Sequence, residues 1–70
     1  MIEERIRNIY VDVEDVTYQG ICIENLTEDT FVAYFHDKTM KIIFSVSGWL
    51  DEKERKCQDA ALDYYREHDA

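Results

Sequence analysis

Residues 47–68 read SGWLDEKERKCQDAALDYYREH, and this stretch decides the fold because its apolar residues recur at helical spacing. On a wheel of about 100° per residue, Cys57, Ala61, Tyr64 and His68 fall within about 40° of Leu50, and Tyr65 lies beside them. Glu52, Arg55, Asp59, Asp63 and Arg66 take the opposite side, where water solvates them. Asp51 and Glu54 have the spacing of a capping box. Ser47 is a rival cap one turn earlier, which would draw Gly48 and Trp49 into the helix. Asp51 with Arg55 and Glu52 with Lys56 are acid-before-base pairs worth about 0.3 kcal/mol each. Acids crowd the first turn and Arg66 and His68 the last, which suits the helix dipole. Such a helix needs an apolar surface to lie on, so the residues before it are read as a sheet.

Residues 31–36 and 40–46 are the clearest strands. With Asp37-Lys38 as a two-residue turn, Phe31 faces Phe44, Ala33 faces Ile42 and Phe35 faces Met40. All six are apolar, so they form the expected helix-facing set. Phe31, Phe35, Ile42, Phe44, Leu50 and Cys57 are expected at the centre of the core. The other face then carries Val32 beside Ile43 and Tyr34 beside Lys41. Upstream, Ile2, Ile6 and Ile9 have helical spacing, but Ile, Tyr and Val dominate, which favours a strand over residues 5–13. A turn at Glu14-Asp15 leads to a second strand over residues 16–24. Val13 then faces Val16 and Val11 faces Tyr18, with Ile6 opposite Ile23 on the other side. Gly20 within that strand marks a bulge or a close approach, and residues 25–29 form a polar turn. The fold class is α+β: a mostly antiparallel four-stranded sheet with one C-terminal amphipathic helix on one face, in the order β-β-β-β-α.

Seventy residues without proline and with two glycines form a single small domain, residues 1–70, burying about 60% of the surface of its unfolded chain. No apolar run approaches the roughly 20 residues that span a bilayer, and the first residues lack the basic start and apolar core of a signal peptide. Cys22 and Cys57 form no CxxC, so two reduced thiols in a cytoplasmic chain are expected. Asn25-Leu26-Thr27 matches a glycosylation acceptor by chance, since no secretory signal accompanies it. The formal charge is −8. Residues 1–30 carry eight acids and two bases, residues 31–50 one acid and two bases, and residues 51–70 seven acids and four bases. A chain of this charge has no basic footprint for nucleic acid or an anionic membrane, so neither is an expected partner. A basic protein is.

Chemistry-bearing residues are sparse. His36, His68, Cys22 and Cys57 lack the close pairing of zinc ligands, so no metal is expected. Ser45 or Ser47 with His36 has no Gly-rich elbow. Sixteen carboxylates make some acid pair inevitable, so a pair is no sign of acid–base catalysis. Two separated glycines cannot cradle phosphate. The expectation is a non-enzymatic protein without a cofactor.

The acids matter as a surface. Asp59, Asp63 and Glu67 stack at i, i+4, i+8 on the solvent side of the helix, and Glu14, Asp15, Glu28 and Asp29 fall in loops. The plain reading is a solvated, solubilising face. The sharper one is a phosphate-like array that fills the basic groove of a nucleic-acid-binding protein, as a DNA mimic would. In length, acidity and lack of proline, rather than in any motif, the chain resembles phage-encoded inhibitors of host defence. That resemblance implies an inhibitor of a basic, nucleic-acid-handling partner. The rival is an interaction module, such as an antitoxin, immunity protein or complex subunit. It would bind through an exposed apolar sheet face carrying Tyr34 and Ile43, or through an edge strand. A homo-oligomer is compatible with either reading.

Overall fold

The computed structural model describes residues 3–69. Its strands are β1 (Glu4–Val13), β2 (Val16–Asn25), β3 (Thr30–His36) and β4 (Ile42–Trp49). A 3₁₀ turn (Leu50–Glu52), helix α1 (Lys53–Tyr64) and a π-helical turn (Tyr65–Asp69) follow. The sheet is an antiparallel meander in the spatial order β1-β2-β3-β4. The helical segment packs on one face, so the fold is α+β with the expected element order.

The first hairpin follows the apolar alternation. Val13 pairs with Val16, Val11 with Tyr18 and Ile6 with Ile23. Val11, Val13, Tyr18 and Cys22 point to the helix layer and are buried. Glu14 closes the two-residue turn at φ 56°, a left-handed conformation taken here without glycine. Ile6 and Ile9 stand in β1, and Ile2, the third residue of the helical spacing, lies outside the described residues. Gly20 marks a close approach. A Cβ there would meet the Tyr34 carbonyl oxygen at 2.5 Å and Phe35 Cα at 2.9 Å.

The second hairpin departs from its expected register. Phe35 pairs with Phe44, Ala33 with Val46 and Phe31 with Gly48, a slip of four residues. Asp37 is the physical cause. Its Oδ1 accepts hydrogen bonds from the Thr39 amide (2.8 Å), the Thr39 hydroxyl (2.7 Å) and the Lys41 amide (3.0 Å). Two backbone bonds, Asp37 N–H to Lys41 C=O and Met40 N–H to Asp37 C=O, complete a wide loop, with Met40 at φ 68°. These bonds hold the Asp37 carboxyl below its usual range, the Thr39 side-chain bond first among them. Met40 therefore sits in the loop, 65% exposed, and Ile42 is 57% exposed. Neither belongs to the core. The pairing skips Ile43 as it passes from Phe35–Phe44 to His36–Ile42, which is a β-bulge. Ile43 packs against the core cluster instead of facing outward.

Because β4 slips, it needs more residues to pair with β3, and Ser47, Gly48 and Trp49 are strand. The helical segment accordingly starts at Leu50. Neither the Asp51–Glu54 capping box nor the Ser47 cap forms, and no side chain caps either helical start. The Leu50 amide instead donates to the Asp29 carbonyl (2.8 Å). Arg55 pairs with Glu52 at 2.8 Å rather than with Asp51.

The core lies between the sheet and α1. Phe35, Ala33, Cys22, Cys57 and Ala61 are fully enclosed, with Leu50 partly buried against them. Around Phe44, Phe35 stacks at 4.6 Å, Tyr64 tilts at 5.3 Å and Tyr18 meets it edge-on at 5.8 Å. Tyr18 donates its hydroxyl to Asp69. Burial, and then that carboxylate, raise its pKa well above the ordinary tyrosine value. His68 is exposed and stacks on Tyr64 at 4.2 Å. At the other end of α1, Glu24 is 2% exposed and is held by Lys53 Nζ and Arg5 Nε at 2.7 Å each. This cluster joins β1, β2 and α1.

Candidate protein-binding face

Alternation puts the remaining strand residues on the face away from α1. They form five rows across the sheet, the shortest being the Asp12–Thr17 pair at the turn end of the first hairpin. Glu4, Asn25, Thr30 and Trp49 make one row, and Ile6, Ile23, Val32 and Ser47 the next. Then come Asn8, Ile21, Tyr34 and Ser45, followed by Tyr10, Gln19, His36 and Ile42. In a chain that is 34% charged, the only Asp, Glu, Lys or Arg residues in these rows are Glu4 and Asp12, near the two ends of β1. Ile6 is 71% exposed, and Tyr10, Trp49, Ile42, Tyr34 and Ile21 are exposed with it. With strands about 4.8 Å apart and a rise of about 3.4 Å per residue, the four full rows cover roughly 500 Å². Eight of their sixteen side chains are apolar and the rest are, but for Glu4, small or uncharged polar groups and His36, a mixture of the kind that protein interfaces use.

Of the two residues expected to mark this face, Tyr34 stands at its centre and Ile43 is turned into the other layer by the bulge. Ile6 lies opposite Ile23 on this face, as the hairpin alternation predicts. Ile42 and Trp49 join it without a signal in the sequence, because only the slipped register brings them into strand rows.

The structure does not gather the loop acids. Glu14 and Asp15 sit at one end of β2, and Glu28 and Asp29 at the other. Ten residues of strand separate them by roughly 30 Å, several times the ~8 Å screening length at physiological salt. Asp59, Asp63 and Glu67 are exposed on the helical layer, behind the open face. The acids therefore flank the apolar face at both ends and cover the back of the molecule. The bases Arg5, Arg7 and Lys53 lie on the helix side of the sheet.

Cys22 and Cys57 are buried and unpaired. Burial raises the Cys22 thiol and pushes Cys57 up to about 11, so both are neutral. Among the described residues, no group of three His, Cys, Asp or Glu is placed to hold a metal ion. No helix among them is long and apolar enough to cross a membrane. No protein-family model, curated protein or solved structure matches the chain.

Proposed function

We propose that this chain is a non-enzymatic binding protein of the cytoplasm that docks through the open face of its sheet. Its partner is a protein whose apolar surface is flanked by Lys and Arg. One observation carries the reading: the open face holds exposed Ile6, Ile21, Tyr34 and Ile42, and the only charges in its strand rows, Glu4 and Asp12, lie near the two ends of β1. Interface centres are depleted of charge and enriched in aromatic residues. The acids at both ends of the sheet supply the complementary rim and speed encounter with a basic partner. A nucleic-acid-handling protein has such a basic surface, so inhibition of one remains within this reading. The apolar face, not the acid array, supplies the affinity.

A photo-crosslinking residue in place of Tyr34 tests it. In extract from the native cell, the Tyr34 probe should capture a basic protein that the same probe at Asp63 does not. Capture should disappear with Ile21→Lys and persist at about 1 M salt, where the Debye length is about 3 Å. Capture from Asp63 alone, lost as salt rises, would instead favour mimicry of nucleic acid by the helix acids.

A further inference from the structure

The free edge of β1 is a second surface, independent of the open face. Its hydrogen-bond phase follows from the hairpin. The Leu26 amide donates to the Glu3 carbonyl (2.8 Å), and the β1–β2 register continues that pairing to Val13 opposite Val16. Odd-numbered β1 residues therefore direct their backbone N–H and C=O towards β2, and even-numbered ones direct theirs outward. Gln58 confirms the phase, donating its Nε2 to the outward Asp12 carbonyl at 3.0 Å. The N–H and C=O of Glu4, Ile6, Asn8 and Tyr10 have no protein partner among the described residues. The opposite edge strand, β4, is bulged at Ile43, a device that discourages pairing. β1 has ten residues in unbroken register and no bulge.

Beside this edge runs a groove of about 350 Å³. Five consecutive β1 residues, from Arg7 to Val11, line it. A groove on a sheet face would meet alternate residues, so its wall is the strand edge itself. Lys53, Glu54, Cys57 and Gln58 line it from the helix and Cys22 from β2. Lys53 is engaged by Glu24. Arg7 is exposed and makes no ion pair among the described residues.

We propose that the β1 edge accepts an extended segment of a partner protein as a fifth strand, with an acidic side chain of that segment opposite Arg7. Main-chain bonds to Ile6, Asn8 and Tyr10 provide the attachment, and the groove takes alternate side chains, as in other strand-addition sites. A second copy of β1 fits less well. Residues 5–11 carry Arg5 and Arg7 and no acid, so pairing β1 with itself sets like charges on adjacent strands.

The test uses the full chain and a peptide of about nine residues that alternates Thr and Val around a central Asp. In the free protein the amides of Ile6, Asn8 and Tyr10 should exchange fast and those of Arg7, Ile9 and Val11 slowly. The peptide should slow the first set. A Lys-centred peptide should bind roughly fivefold more weakly, and Arg7→Glu should reverse that order. Asn8→Pro removes an outward N–H without touching the β1–β2 ladder, and should abolish binding. Should that variant fail to fold, the exchange pattern and the Arg7→Glu reversal decide. Unchanged exchange at Ile6, Asn8 and Tyr10 with saturating peptide overturns the proposal. So does a dimer of this chain that protects the same amides.

Discussion

Glu24 is the residue at which sequence, packing and charge meet. A glutamate on the helix-facing side of a central strand has no place in an apolar core unless cations follow it in. Here Arg5 comes from β1 and Lys53 from the first turn of α1. The Lys53 hydrogen bond, with help from Arg5, outweighs desolvation and holds the Glu24 carboxyl below its usual range. A lowered carboxyl pKa adds stability above the unfolded value, and that stability is lost as pH falls through the folded value. Glu24→Gln should therefore melt lower than the parent at pH 7, by about 1–3 kcal/mol in stability. The gap should narrow as pH drops below about 4, and parallel thermal melts from pH 7 to pH 3 would show it. A gap that stayed constant would mean that shape, not charge, holds this site. Phe35 and Ile42 make the matching apolar comparison. Phe35 is fully buried, so Phe35→Ala should cost about 3–5 kcal/mol. Ile42→Ala, on the exposed face, should cost under about 0.5 kcal/mol. Equal losses in urea titrations would restore the unslipped register.

That pair of variants reaches the scale of elements, where the sequence was legible in one hairpin and opaque in the other. The first hairpin has a two-residue turn and one register that buries Val11, Val13 and Tyr18 together, so apolar alternation alone finds it. In the second, a slip of four residues leaves the side chains of β3, Phe44 and Val46 on their original face, and only the bulge exchanges Ile42 and Ile43. Phe31, Ala33 and Phe35 keep apolar neighbours either way, and pattern cannot choose. The choice is made by Asp37, whose carboxylate organises Thr39 and Lys41 into a wide loop. That is a three-dimensional arrangement with no period. The slip carries downstream. Because β4 runs on to Trp49, the helical segment begins at Leu50, and the acid pattern at Asp51 and Glu54 has no capping work to do. The helical stripe itself was readable, since Cys57 and Ala61 are the buried residues of α1. Of the candidate site, Tyr34 was readable from alternation. Ile42, Trp49 and the β1 groove were not, because each depends on which strands are neighbours.

At the scale of the whole molecule the protein is a two-layer slab, open on one face of its sheet. The Cα envelope is 43 × 24 × 15 Å, and the surface is 5101 Å² against about 4,600 Å² for a monomer of this mass. The excess is of the order of the open face. Net charge and apolar face act differently on such a slab. A charge of −8 repels itself and weakens the compact state, while the open face, charged only at Glu4 and Asp12, adds little to that repulsion. Added salt screens the first and leaves the second intact. The free protein should therefore become more stable between low salt and about 0.5 M sodium chloride, with Tm rising a few degrees for roughly 0.5–1 kcal/mol. Ile21→Lys with Tyr34→Glu inserts a balanced pair of charges into the open face, so it should leave Tm and its salt dependence nearly unchanged while removing partner binding. Calorimetry of both proteins across the salt series separates the effects. A large loss of Tm in the double variant would show that the open face supports the fold itself, and the docking role would fall.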